Sequence, residues 1–490
     1  MQVAVNRKDT TFLPDPSRII ARFLFTNNNR ASGIIRSVME MSEEDALVAL
    51  KQTLRDYSIR HRNISRIFEK HFNKIAHLIS QMDMDPDSID DFRRMLIGAY
   101  FTMEYSIESA AFFNPSIMAH PDQKEIGKGQ LRVIFSFRGT GEGHISSIVF
   151  RSGILDKDCN LSLEPTGKML EEAEHIQRHV YEKESFAHKL NEMLGAGGII
   201  PPELIMDKLN DQFTYRELID CIDETRKTLH LARDKEILFN QITWLASSHY
   251  ELEFSLDTNI SERVIFPVSV NERNGIEDAR FVKFRDDKGE SKYYATYTAY
   301  DGNTILPKLL ETSDFYHFKV SPLHGEISVN KGMALFPRKI KGKYAMLCRL
   351  DGYKNYIAFS DHLTIWREAK LLQQPKFPWE FVQIGNGGSP IETEDGWLVI
   401  THGVGPMREY VLGASLFDIH HPEKEIGRLK NPLLIPNSKE REGYVPNVVY
   451  SCGSMVHNEH LIIPYAMSDH ASTYATIHLK ELLKELKDSR

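Results

Sequence analysis

FFNPSIMAHP at residues 112–121, EDARFVKF at 277–284, GMALFPRKI at 332–340, GSPIETEDG at 388–396 and PNVVYSCGS at 446–454 share one pattern, short apolar runs beside turns built from Gly, Pro, Asp and Asn. The last four begin at 277, 332, 388 and 446, so they are spaced 55, 56 and 58 residues apart. Each leads into a second run: KYYATYTAY at 292–300, KYAMLCRL at 343–350, GWLVITHGV at 396–404 and HLIIPYAMS at 460–468. Repeats of about 40–50 residues with several antiparallel strands are the signature of propeller blades, whose radial packing leaves few exposed edges. The expectation is a mainly β chain forming a five-bladed β-propeller. An irregular β-sandwich with chance similarity between segments is the alternative that spacing leaves open.

The rest of the chain has a different period. From Ser42 to about Ile79 the pattern is helical: Ser42 and Asp45 suit a helix start, and Ile64, Phe68, Phe72, Ile75 and Ile79 form an apolar stripe. That stripe is read as scaffold or as a contact in a homo-oligomer. A second helical run is expected from Asp87 to about Tyr105, so residues 1–104 read as an N-terminal helical region and 105–490 as the propeller. A third helical region, about 166–240 with a breaker at 195–198, falls in the long gap before residue 277 and reads as an insertion after the first blade.

Composition narrows the function. Hydrophobic residues at 41% and charged residues at 26% describe a folded, water-soluble chain. A net charge of −8 gives no basic footprint for nucleic acid or an anionic membrane, although a local basic pocket for a small anion is compatible with it. No apolar leader and no run of about 18 apolar residues is visible, so the cytoplasm is the expected location. Cys159, Cys221, Cys348 and Cys452 form no CxxC pair, and the histidines show no HExxH spacing; neither a metal nor another cofactor is expected.

A propeller gathers its first strands around one funnel, so functional residues should recur at matched positions. Asn114, then Glu277, Asp278 and Arg280, then Lys331 with Arg349, then Gln383 and His402, then Asp469 do so. Adjacent carboxylates on a strand face opposite sides, so one of Glu277 and Asp278 would face the funnel while an arginine holds the other. A carboxyl in a low-dielectric funnel can protonate a glycosidic oxygen. A turn in which Glu277 pairs with Arg280 and Asp278 caps backbone amides fits the same residues. Lys331, Arg349 and His402 suit an anion, through a fork and a point charge.

GIEDARFVKF (275–284), NKGMALFPRKIKGKYAMLCR (330–349), IGNGGSPIETEDGWLVITHGV (384–404), REYVLGASLFD (408–418), EGYVPNVVYSCG (442–453) and YAMSDHASTYA (465–475) together resemble glycoside hydrolase family 130, the β-mannoside phosphorylases and related mannosidases. The resemblance implies a five-bladed propeller and inverting phosphorolysis, in which inorganic phosphate is the co-substrate and α-mannose 1-phosphate is released from a short β-mannoside. It casts Asp278 as the proton donor, acting through a sugar hydroxyl. It also implies phosphate binding by Lys331, Arg349, His402 and the position of Gln383, and mannoside contacts by Asn114, Arg138, Glu277 and Asp469. Gln383 departs from the family's lysine, with Arg408 or Lys343 as candidate substitutes. No carboxylate stands at 331, 349 or 383, as the hydrolytic branch would have. Hydrolysis of β-1,2- or β-1,4-mannosides is the second reading, and a non-catalytic mannan-binding propeller the third.

Overall fold

Among the described residues, five sheets each contain a path of four antiparallel strands, and two further sheets are two-stranded. A computed structural model of the protein describes residues 3–176, 180–194, 203–228, 233–302 and 305–489, and the expected breaker at 195–198 lies outside them. The first sheet runs Ala111–Ala119, Leu131–Thr140, Ser146–Leu155 and Arg263–Ile265. The second runs Ile276–Arg285, Ser291–Tyr300, Ile305–Thr312 and His317–Pro322. The third starts at Ala334–Leu335 and Tyr344–Cys348, the fourth at Gln383–Asn386 and Gly396–Val404, the fifth at Val449–Tyr450 and His460–Met467. The N-terminal strand Asn6–Arg7 lies antiparallel to Ala471–His478 as the fourth strand of the fifth sheet.

Neighbouring sheets touch in order. Ala111–Ala119 meets Ile276–Arg285, Ser291–Tyr300 meets Ala334–Leu335, Asn355–Ser360 meets Gln383–Asn386, Tyr410–Phe417 meets Val449–Tyr450, and His460–Met467 meets Ala111–Ala119. Between each pair sits an apolar cluster. Phe150, Phe281 and Phe318 join the first and second sheets, Phe284, Leu335 and Met346 the second and third, and Phe336 and Trp397 the third and fourth. Leu412, Leu461 and Ile463 join the fourth and fifth, and Phe112, Phe135 and Ile462 close the fifth against the first. Each fully buried large side chain contributes about 1.5–3 kcal/mol, so both faces of every sheet are anchored by neighbours.

The helical regions differ from the sequence pattern in several ways. Ser42 caps a helix as expected, its Oγ accepting from the Asp45 amide at 3.1 Å, but that helix, Glu43–Tyr57, ends before a second begins at Ile64–Gln81. Asn63 stands between them in a left-handed conformation (φ 50°), and His61 is pinned to Glu104 at 2.8 Å, which turns the chain. The run expected from Asp87 to Tyr105 is helical only over Asp91–Tyr100; Thr102–Ser106 is a strand paired with Ile19–Phe23. In the insertion, Glu174–Ile176 is an edge strand beside Tyr250–Glu253, and helix begins only at Lys183–Leu194. The insertion also falls inside the first sheet, before its fourth strand, and lends Tyr250–Glu253 to the outer edge of the second. The stripe Phe68, Phe72, Ile75 and Ile79 is buried among the region's own residues, Ile35, Leu96 and Ile97 included, so it offers no surface to a second subunit.

Candidate active site

Two matched irregularities set the geometry. In the first sheet the pairing register skips between Phe113 and Ser116, and in the second it skips between Glu277 and Arg280. The residues in these bulges, Asn114 (φ 50°) and Asp278 (φ 55°), adopt the left-handed conformation that Asn and Asp tolerate better than other side chains. A bulge cancels strand alternation, which is why Glu277 and Asp278 do not face opposite sides as expected. Arg138 reaches both, with Nη2 3.0 Å from Glu277 Oε1 and Nη1 3.6 Å from Asp278 Oδ1. Asn114 donates from Nδ2 to Asp278 Oδ1 at 2.6 Å.

The turn that delivers Asp278 is fixed from below. Glu272, fully buried, accepts from Tyr250 and Tyr297 hydroxyls at 2.8 Å, from Lys308 Nζ at 2.8 Å and from the Ser269 amide at 3.1 Å. Burial pushes its carboxyl up, but Lys308 and these donors overcome that and hold it at about 2. Gly275 then passes so close to Ser146 that an added Cβ would lie 2.6 Å from its Oγ, and φ 122° excludes other residues independently.

Cations surround the acid. Lys331 Nζ contacts Glu277, so in place of the alternative Glu277–Arg280 pair Glu277 is held by Lys331 and Arg138. Arg280 instead donates to the Tyr450 hydroxyl at 2.8 Å, to Asn386 Oδ1 at 3.3 Å and to the Asp278 carbonyl at 3.3 Å. Asn386 Nδ2 holds the Gly332 carbonyl at 2.7 Å. Arg349, just past the third sheet's second strand, has a buried Nε with no hydrogen-bond partner among the described residues. His402 has Nδ1 3.2 Å from the Asn386 carbonyl and Nε2 3.1 Å from Gln383 Nε2, a pattern that fits a neutral ring with its proton on Nδ1. Burial, then Arg349 and Arg280, hold the His402 pKa well below its usual value.

The two aspartates are tuned apart. Burial alone would push Asp278 up, but Arg138, Arg280, the Asn114 amide and Lys331 bring it below the ordinary carboxylate value. Asp469, in a left-handed turn (φ 53°) just past the fifth sheet's second strand, is pushed up to about 6 by burial and then by the charge of Asp278. Arg408 acts on the same carboxyl from the fourth sheet. Lys343 does not join them: it precedes the strand that Arg349 follows, roughly 20 Å away at strand rise, and pairs with Asp361 at 3.2 Å. Asp278, Arg280, Thr298, Asn330 and Gly332 line a narrow crevice between the second and third sheets.

Asn114, Arg138, Glu277, Asp278 and Lys331 are thus joined by direct contacts, Gln383 and His402 connect to them through Asn386 and Arg280, and Arg349 and Asp469 act through their charges. Tyr450 and Asn386 were missed by sequence reasoning. Both stand on first strands, so applying the matched-position rule to the fourth and fifth units would have found them. Among the described residues no group of three His, Cys, Asp or Glu side chains is arranged to hold a metal ion, and no helix is long and apolar enough to cross a membrane.

A family described as beta-1,4-mannooligosaccharide phosphorylase matches residues 251–488, the stretch that carries sheets two to five. The 1,2-beta-oligomannan phosphorylase of Thermoanaerobacter sp. (strain X514) is 37% identical over 228 residues, 44% of this chain and 74% of that protein. The beta-1,2-mannobiose phosphorylase of Listeria innocua is 29% identical over 243 residues, covering 48% of this chain and 65% of that protein, just under two thirds of its length. A solved structure of beta-1,2-mannobiose phosphorylase from Listeria innocua, in complex with beta-1,2-mannobiose, gives a TM-score of 0.46 at 20% identity over 78% of this chain and 93% of that one.

Proposed function

The chain belongs to glycoside hydrolase family 130, and from that premise we propose that it cleaves the non-reducing-end β-mannosidic bond of a short β-mannoside by inverting phosphorolysis, releasing α-mannose 1-phosphate. The observation that carries this reading is Arg349, whose buried Nε has no partner among the described residues, beside a neutral His402 in a cluster that also holds Arg280 and Lys331. A buried guanidinium nitrogen without a partner among the described residues calls for an anionic co-substrate that can accept from it.

The steps follow from the charges. Phosphate binds against Arg349 and Lys331, with the Gln383 amide, itself held by His402, beside it. A phosphate oxygen forms a bond to the anomeric carbon as the bridging C–O bond breaks on the opposite face, inverting configuration. The bridging oxygen takes up the proton of Asp278, relayed by a sugar hydroxyl, and leaves as the hydroxyl of the released sugar. In the free protein the cations keep Asp278 ionised. A phosphate dianion offsets them, and Asp278 then rises toward the range of a proton donor. Phosphate thus serves as nucleophile and as the charge that arms the acid.

In this reading the five sheets are the blades of a five-bladed propeller. Support comes from the contacts between successive sheets, fifth against first included, and from the strand Asn6–Arg7 that completes the last sheet. A cytoplasmic location is supported by four unpaired cysteines, three of them buried. Hydrolysis is the second reading, favoured by Gln383 in place of a lysine and by the neutralisation of Lys331 on Glu277. The protein is incubated with β-1,2- and β-1,4-mannobiose, with and without phosphate. Phosphorolysis requires mannose 1-phosphate that appears only with phosphate; free mannose formed at equal rates in both conditions establishes hydrolysis instead.

A further inference from the structure

We propose that Tyr444 and His144 form a stacking platform at the mouth of the site that holds the face of the leaving sugar, a pyranose ring on the acceptor side of the scissile bond; this rests on the phosphorolytic reading of the same site. Tyr444 is 70% exposed, and its ring lies 5.4 Å from that of His144 at an interplanar angle of 34°. The two come from sequence positions 300 residues apart, in loops of the fifth and first sheets. An exposed aromatic pair has an apolar face to offer and no partner covering it, which suits a ligand with one apolar face and a hydroxyl-bearing edge.

Both loops are tied to the reacting residues. His144 lies two positions before Ser146, the residue in tight contact with Gly275, which leads into Asp278. Its loop is braced by Tyr105, whose hydroxyl donates to the Glu142 carbonyl at 2.8 Å. Tyr444 is flanked by Val445, whose amide donates to the Ser468 carbonyl at 3.1 Å, and by Gly443, packed on the same carbonyl; Asp469 follows directly. The ring pair therefore bridges two loops that pack against the segments leading to Asp278 and Asp469. His144 is itself held at φ 58°, a strained presentation that a braced loop maintains.

Placement decides which sugar. Lys331, Arg349 and His402, against which phosphate is placed, belong to the third and fourth sheets, and the ring pair to loops of the first and fifth. In an inverting displacement nucleophile and leaving group lie on opposite sides of the anomeric carbon. The leaving sugar then departs away from Arg349, toward the side where Tyr444 and His144 stand.

The test combines turnover and binding for wild type, Tyr444→Ala, Tyr444→Phe and His144→Ala, with β-1,2- and β-1,4-mannobiose as probes in isothermal titration and in the phosphorolysis assay. The expected result is a disaccharide Kd and KM raised about tenfold in Tyr444→Ala and several-fold in His144→Ala, retention in Tyr444→Phe, and a KM for phosphate unchanged in all. A Tyr444→Ala protein with wild-type disaccharide Kd and KM overturns the platform and leaves phosphorolysis standing. A wild type that binds mannobiose but forms no mannose 1-phosphate, with binding weakened in Tyr444→Ala, removes phosphorolysis and keeps the platform. Wild type that neither binds nor cleaves a β-mannoside removes both.

Discussion

Asn114 and Asp278 occupy equivalent bulges in the first strands of adjacent sheets, and the amide of the first donates to the carboxylate of the second at 2.6 Å. The contact aims Asp278 and favours its charged form. A hydrogen bond to a charged group contributes about 1.5–3 kcal/mol, equivalent to roughly 10–100-fold in rate if it is needed in the transition state. Asn114→Gly keeps the left-handed backbone and removes only the amide. It should lower kcat about 10–100-fold with little change in the KM for phosphate, while Asp278→Asn should lower it far more and still fold, since Asn accepts the same φ. Equal activity of Asn114→Gly and wild type would exclude a role for this bond.

Phosphate affinity should follow the cations. Arg349→Gln removes the guanidinium whose buried Nε has no partner among the described residues and should raise the KM for phosphate at least tenfold, leaving that for the mannoside nearly unchanged. Gln383→Lys places a charge beside His402 and should lower the phosphate KM several-fold. Lys343→Ala should change neither, because Lys343 is paired with Asp361 at the far end of its strand. Steady-state kinetics with phosphate varied at saturating mannoside separates the three, and a Lys343→Ala variant with weakened phosphate use would contradict this placement.

Much of the architecture was legible in the sequence, because the 55, 56 and 58-residue spacing reports strands whose apolar faces must meet neighbours. The helix start at Ser42 was legible too, being local chemistry. The bulges were not: nothing in the string GIEDAR distinguishes a regular strand from one in which Asp278 turns left-handed, and that one angle decides whether Glu277 and Asp278 share a face. The pairing of Lys331 with Glu277 spans 54 residues and depends on two sheets meeting. The segment EEAEHI has strong helix formers yet becomes two short strands, because Arg263–Ile265 and Tyr250–Glu253 offer edges to pair with and tertiary context overrides propensity.

Asp469 links the site to stability. Its carboxyl is raised from 3.8 to about 6, so the neutral form is favoured by folding. Its contribution is fully present below pH 3.8 and is lost as pH rises through 6; about two units correspond to about 3 kcal/mol in full. Asp469→Asn stays neutral, so its stability relative to wild type should improve by about 1 kcal/mol between pH 5 and pH 8, read from urea unfolding at both pH values. A gap that stays constant, or moves the other way, would show that Asp469 ionises freely in the folded protein.

The buried pair Lys308 and Glu272 should be the most sensitive point behind the site. Both side chains are fully inaccessible, the ion pair spans 2.8 Å, and two tyrosine hydroxyls complete the shell of the carboxylate. Removing one partner strands the other: Lys308→Met leaves Glu272 charged among Tyr250 and Tyr297 or forces it to take up a proton, at a cost of about 3–5 kcal/mol. Because Glu272 fixes the turn that leads to Gly275 and Asp278, loss of activity should accompany loss of stability. The double variant Lys308→Met with Glu272→Gln removes the uncompensated charge and should regain part of the stability, since a neutral amide can still meet the tyrosine hydroxyls. Urea unfolding of wild type, the two single variants and the double variant gives the coupling directly. Additive single effects would mean that the two charges do not depend on each other, and the anchoring of the Asp278 turn would need another source.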